Sequence, residues 1–302
     1  MTRDLLLGVE IGLPSPYGFI PIIPKYVPCR EGQWSRPGAR YCRVIESYGP
    51  RGVARAISRS ELRLTYDPFY LASMPYIRLS DVATYVSPRD ALEKALSGAS
   101  PLYEDLVKSL NLIARAVGSS EFLGLTGSLA MGIEQAFSDI DIVIYGSQGA
   151  QAAFELYVTS SRQVEQQESM GGVYIKGFAA LNWRRGLIGD VEVPVSWVGV
   201  PEYGVATFCK PLNDYLHIKP PLLNYKGTLS IPPGQEGALL YPPCVTTEEG
   251  VTVVSFEYNL GGYLYGGGEV EVEGVASSDS KVVYVGTRER PGGLTLRAKF
   301  KS

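Results

Sequence analysis

The chain has 302 residues, 45% hydrophobic and 20% charged, with a formal net charge of −3. That length favours more than one domain, and the composition excludes a chain that is disordered throughout. A single histidine, His217, excludes chemistry that needs two imidazoles, and no apolar run is long enough to cross a bilayer.

The N-terminal apolar stretch is broken by Glu10 and Pro14, too short and too acidic for a signal peptide. The expectation is a soluble, cytoplasmic protein with no membrane partner. Residues 1–97 mix strand-like runs such as GFIPIIPKYV with prolines and arginines. From Lys25 to Arg63 there are nine basic residues against three acidic ones, a basic island on an otherwise acidic chain. Arg51, Arg55, Arg59 and Arg63 recur at steps of four, one stripe if the segment is helical. The stripe reads either as a solvated helix face or as a phosphate-contacting surface, with Tyr26, Trp34, Tyr41 and Tyr48 near enough in sequence to stack on bases.

Residues 98–200 read as mixed α/β. Ser100-Pro101 suits a helix start, and Leu102, Leu106, Leu110, Ile113 and Val117 give it an apolar face ending at Gly118. FLGLTG leads into a turn, SLAMGIEQAF is a short helix, DIDIVIYG is a strand, and Ser147 caps a helix over about 148–162. GDVEVPVSWV, residues 189–198, is predicted as a strand with Asp190, Glu192, Pro194 and Ser196 on one face. Pro194 suggests an edge or a bulge there.

Residues 201–302 read as all-β, with VTVVSFEY, EVEVEGV, KVVYVG and LTLRAKF as strands of a small barrel-like domain. The glycine-rich run before EVEVEGV reads as a bulged hairpin with no helix. His217 is expected to be structural or at the surface. Cys29, Cys42, Cys209 and Cys244 have no C-x-x-C spacing, so thiolate zinc has no support. They read as thiols in a reducing compartment, with a structural disulfide left open because some thermophile cytosols tolerate one.

The chemistry concentrates in LTGSLAMGIEQAFSDIDIVIYG, residues 125–146. Gly127-Ser128 sits at a turn into a helix, where backbone N–H groups and a hydroxyl can hold a phosphate. Asp139 and Asp141 are two apart in a strand-like run, so they share a face opposite Ile140, Ile142 and Ile144. Two carboxylates side by side call for a cation, and hard oxygen ligands select Mg²⁺ or Mn²⁺.

This segment resembles the signature of the nucleotidyltransferase superfamily typified by DNA polymerase beta. PKYVP (24–28), YDPFY (66–70) and EVEVEGV…VVYVGTRE (269–289) extend a looser resemblance to archaeal proteins built around that core. The resemblance implies an α+β fold: a short mixed sheet with helices, flanked by the N-terminal mixed domain and the C-terminal barrel-like one. It also implies Mg²⁺-dependent transfer of a nucleoside monophosphate from a nucleoside triphosphate to a hydroxyl. Carried over by position, Gly127 and Ser128 hold the triphosphate, and Asp139 and Asp141 bind metal. A later carboxylate completes the catalytic set, Glu192 in preference to Asp190. Arg184 and Arg185 contact triphosphate or nucleic acid, or are solvated loop charges. The acceptor is RNA on the basic region 25–63, a protein hydroxyl or a small molecule. The rival reading is a catalytically inactive nucleotide- or RNA-binding protein on the same scaffold, and a purely structural role would leave the aspartate pair unexplained. Oligomeric state is not legible in these residues.

Overall fold

A computed structural model describes residues 6–10, 18–45, 50–59, 62–67, 70–98, 100–162, 174–176, 183–202, 222–278, 281–288 and 290–296. His217, Cys209 and Tyr48 lie outside them. The chain is α+β and contains three sheets.

The N-terminal region supplies β1 (Leu7–Glu10), β2 (Phe19–Pro28), β3 (Trp34–Arg36), β4 (Ala39–Arg43), helix α1 (Pro50–Arg59), β5 (Leu64–Asp67) and β6 (Ala72–Arg78). These strands form one antiparallel sheet, ordered β3-β4-β2-β6-β5 with β1 on the side of β2. β2 holds the strand-like run GFIPIIPKYV, and it buries Ile20, Ile22 and Tyr26. The helix ends at Arg59, so Arg63 leaves the predicted stripe; Arg55 is exposed on it.

Cys29 and Cys42 form a disulfide joining the end of β2 to β4, and Cys244 is also disulfide-bonded. This corrects the expectation of thiols. Neighbouring strands bring the Cys29 and Cys42 Cα atoms to 5.7 Å, within bonding reach, although the two are 13 residues apart in sequence.

The middle region runs α2 (Pro88–Ser97), α3 (Tyr103–Val117), β7 (Leu123–Thr126), α4 (Gly127–Met131), β8 (Ile140–Tyr145), α5 (Ser147–Ser160), β9 (Tyr174–Lys176), β10 (Arg185–Gly186) and β11 (Val195–Val200). α3 begins two residues later than Ser100-Pro101 suggested. The Ser100 hydroxyl accepts from the Leu102 N–H at 3.2 Å in the turn before it. Its C-cap is Gly118, left-handed at φ 93 as anticipated. α5 is capped at Gly146 and not by a Ser147 side chain.

The four-stranded sheet has the order β10-β11-β8-β7: β7 antiparallel to β8, β11 parallel to it, and β10 antiparallel to β11. Ile140, Ile142 and Ile144 are fully buried against α3 and α5, in a cluster with Leu106, Ile113 and Trp197. A parallel pair needs a crossover connection, which α5 provides between β8 and β11.

The third sheet comprises β12 (Leu223–Ile231), β13 (Cys244–Thr246), β14 (Thr252–Ser255), β15 (Gly268–Ala276), β16 (Val282–Val285) and β17 (Gly293–Leu296), with β9 at one end. Helix α6 (Gly261–Gly266) precedes β15, so the glycine-rich run is partly helical and not a hairpin. β15 pairs along its length with β12; its other edge is shared between β17 and β16. The result is an open, branched sheet from β13 to β9, and no closed barrel forms among the described residues. Leu239, Leu240 and Tyr258 from this region join the core of the middle region. The Tyr258 hydroxyl accepts from the Gly199 N–H and donates to the Leu239 carbonyl, each at 2.7 Å. Among the described residues no helix is long and apolar enough to cross a membrane.

Candidate functional site

The site is built on one row across the four-stranded sheet. Register places Thr126 of β7 opposite Asp141 of β8, Asp141 opposite Ser196 of β11, and Ser196 opposite Arg185 of β10. Residues in register share a face. Asp139 lies one residue before β8 begins.

Gly127 follows Thr126 with φ +69, a conformation that disfavours any side chain, and a Cβ there would overlap Asp141 Oδ2. The turn is therefore glycine for two reasons, backbone conformation and the closeness of the carboxylate. Ser128 is buried in the first turn of α4. The loop from α4 to β8 is tied by Ser138, whose Oγ accepts from the Gln135 N–H at 3.0 Å. Its Phe137, 60% exposed, meets the Trp34 ring edge-on at 6.0 Å.

The partners of the two aspartates come from the far side of β8. The Ser196 hydroxyl donates to Asp141 Oδ1 at 2.5 Å. Arg185 Nη2 donates to Asp139 Oδ2 at 2.6 Å in an ion pair whose side chains are 12% and 36% exposed respectively. Arg185 is therefore on a strand and not on a loop, and its charge is paired with the first aspartate.

The predicted third carboxylate is also corrected. β11 starts at Val195, not at 189. Asp190 lies in a turn and Glu192 in a coil, both exposed, and the Glu192 N–H donates to Asp105 of α3 at 3.3 Å. Pro194 has no N–H to donate, but its carbonyl accepts from Ile140 N at 3.0 Å and opens the pairing with β8. The residue that stands beside Asp141 is Ser196. It shares the alternation predicted for Asp190 and Glu192, but only this member of that face lies within the strand.

Beside the row is a cleft of about 310 Å³ between the three regions. Thr126, Asp141 and Ser196 lie along it. Lys25, Arg184 and Arg288 supply positive charge, Glu257 a second negative one, and Tyr70, Tyr241 and Tyr258 aromatic surface. Arg184 Nε donates to Asn259 Oδ1 at 2.7 Å, and its guanidinium lies 5.4 Å from the centre of the Tyr258 ring. Burial pushes the Tyr70, Tyr241 and Tyr258 phenols up, so all three stay neutral at physiological pH. No spacing in the sequence linked Lys25, Glu257, Asn259 and Arg288 to this site, because they reach the cleft from three separate segments: β2, the turn at 257–259 and the stretch after β16. A second cavity of about 300 Å³ lies where β1 and β6 face α2 and α4, lined in part by Gly127, Arg36 and Lys94.

Among the described residues no group of three or more His, Cys, Asp or Glu side chains could hold a metal ion. The donor set does not fit a pair of Mg²⁺ ions: Asp139 already has a guanidinium, and a hydroxyl stands where a third acid would. Comparison with known protein families, characterised proteins and solved structures finds no match to this chain.

Proposed function

We propose that this chain carries a core of the nucleotidyltransferase superfamily and uses it to bind a nucleoside triphosphate, as a binding protein and not as a transferase. The observation that carries this reading is the cleft. It joins Thr126 and Asp141 with three cations suited to a polyphosphate and buried aromatic rings suited to a base. The order α3-β7-α4-β8-α5-β11, with β11 parallel to β8, supports the scaffold. Ser196 beside Asp141 argues against turnover, because in-line transfer relies on acidic ligands to hold its metals.

Calorimetric titration with ATP, GTP, CTP and UTP tests it. At least one binds, and Arg184→Ala weakens that binding roughly tenfold or more through loss of a charged contact. Incorporation of α-labelled nucleotide into RNA or protein stays at background. Pyrophosphate release that disappears in Asp141→Asn would replace this reading with Mg²⁺-dependent transfer to a hydroxyl.

RNA is the second partner we propose, at the β2–β4 end of the N-terminal sheet. Arg43 is exposed on the face that carries Trp34, Arg40 on the opposite face and Arg30 in the turn after β2, and Trp34 meets exposed Phe137, two residues from Asp139. Phe137→Ala is expected to weaken binding of a labelled single-stranded oligonucleotide by about 1–3 kcal/mol, measured by anisotropy. We place both partners in the cytoplasm, which with the Cys29–Cys42 disulfide requires a cytosol that tolerates such bonds, as some thermophile cytosols do.

A further inference from the structure

The aspartate pair keeps its own cation. Two carboxylates on one face of a sheet repel, and the usual remedy is a divalent ion. Here Arg185 supplies the charge. Its register position on β10, opposite Ser196, carries it past the hydroxyl to Asp139. Its side chain is 12% exposed, so the guanidinium is held largely away from water by its salt bridge to Asp139. A metal ion arriving at Asp139 would have to displace it and leave a buried cation without its counter-charge. Asp141 keeps the neutral donor Ser196.

One further detail points the same way. Arg185 Nη2 is used, but Nε and Nη1 are buried and have no acceptor among the described residues. Asp139 is therefore the one acceptor this guanidinium has among the described residues, and losing it would strand a buried charge. We infer that Arg185 is a resident cation taking the place of a divalent metal at Asp139, so that the neighbouring cleft, with Lys25, Arg184 and Arg288 along it, holds a polyphosphate without Mg²⁺. The ligand class rests on the nucleotide-binding reading above; the role of Arg185 as cation does not.

Two measurements on the full chain test this. In the first, Mn²⁺ is titrated and followed by electron paramagnetic resonance. The wild-type chain is expected to leave Mn²⁺ free, whereas Arg185→Ala exposes Asp139 and Asp141 and binds it. Adding Ser196→Asp to that variant restores a third acid and tightens the binding. In the second, inorganic tripolyphosphate and ATP are titrated calorimetrically in EDTA and in excess Mg²⁺. Wild-type affinities are expected to agree within roughly threefold, and Arg185→Ala to bind roughly tenfold more tightly in Mg²⁺ than in EDTA, because its bare aspartates then need the metal.

Mn²⁺ binding by the wild type that is abolished by Asp139→Asn overturns the inference. So does loss of tripolyphosphate binding in EDTA with recovery in Mg²⁺; nucleotide binding would then stand and the resident cation would not. If neither probe binds in either buffer while Arg185→Ala gains Mn²⁺, the resident cation stands and the nucleotide reading falls. The wild-type titrations decide the matter even if Arg185→Ala does not fold.

Discussion

The two sides of β8 prepare the same pair of aspartates by opposite means. On the β7–α4 side the requirement is absence: Gly127 has no side chain, and its positive φ leaves Asp141 Oδ2 against bare backbone. On the β11–β10 side the requirement is presence. Ser196 and Arg185 project at the carboxylates from 55 and 46 residues away in sequence. The first side is a local motif and tolerates nothing added. The second is a tertiary arrangement whose residue types decide whether the pair meets a metal or a protein cation.

The hardest way to break the first side is to give position 127 a side chain. Gly127→Val combines strain of about 1–2 kcal/mol for a left-handed residue with overpacking of about 1–3 kcal/mol. Thermal unfolding should show a larger loss for it than for any of the substitutions that follow. Gly132→Ala, also left-handed at φ 62 but with open space around it, should lose only the strain part. A drop no greater at 127 than at 132 would mean that contact with Asp141 is not what the turn is built around.

Next comes the brace outside that side. The disulfide anchors the hairpin bearing Trp34, which meets Phe137 in the loop before Asp139. Replacing both Cys29 and Cys42 by serine removes a cross-link worth about 2–3 kcal/mol for a loop of this size. Denaturant midpoints with and without reductant measure it; reductant has no effect on this link in the double variant.

On the second side, Ser196→Ala leaves one oxygen of Asp141 without its donor, a loss of about 1–3 kcal/mol for a bond to a charged group. Ser196→Thr keeps the hydroxyl and should recover most of it in the same unfolding assay. A full-strength Ser196→Ala protein would show that the row across the sheet is incidental.

The smallest effect tests whether chemistry spreads to the second cavity. Glu10 is raised above the ordinary carboxylate range by burial, partly opposed by its hydrogen bond to Tyr85, whose phenol is pushed up to about 12, chiefly by burial. A raised carboxylate pKa means the folded state holds the proton more tightly. That contribution is present below the unfolded pKa and is lost as pH rises through the folded one. Glu10→Gln should therefore flatten the fall in stability across the mildly acidic range, seen as a smaller change in midpoint between acidic and neutral buffer.

What could be read in the chain follows range of interaction. The alternation of Asp139 and Asp141 with Ile140, Ile142 and Ile144 is a period-two statement about one strand, and the glycine before Ser128 marks a turn that only glycine suits. Both are legible because cause and effect lie within a few residues. Asp190 and Glu192 misled for the complementary reason. Parity along GDVEVPVSWV is correct, but parity does not say where pairing with β8 begins. That is decided at Pro194, whose carbonyl meets Ile140 N, and only Ser196 is carried into the row.

The residues by themselves determined an α+β chain, its apolar strand, its glycine turn and the two acids that face one way, since those depend on local geometry and on water. Only the tertiary structure decided what stands opposite the acids. A guanidinium, a hydroxyl and three cleft cations arrive from separate strands and loops, and no spacing along the backbone encodes a meeting that sheet register and packing of the three regions create.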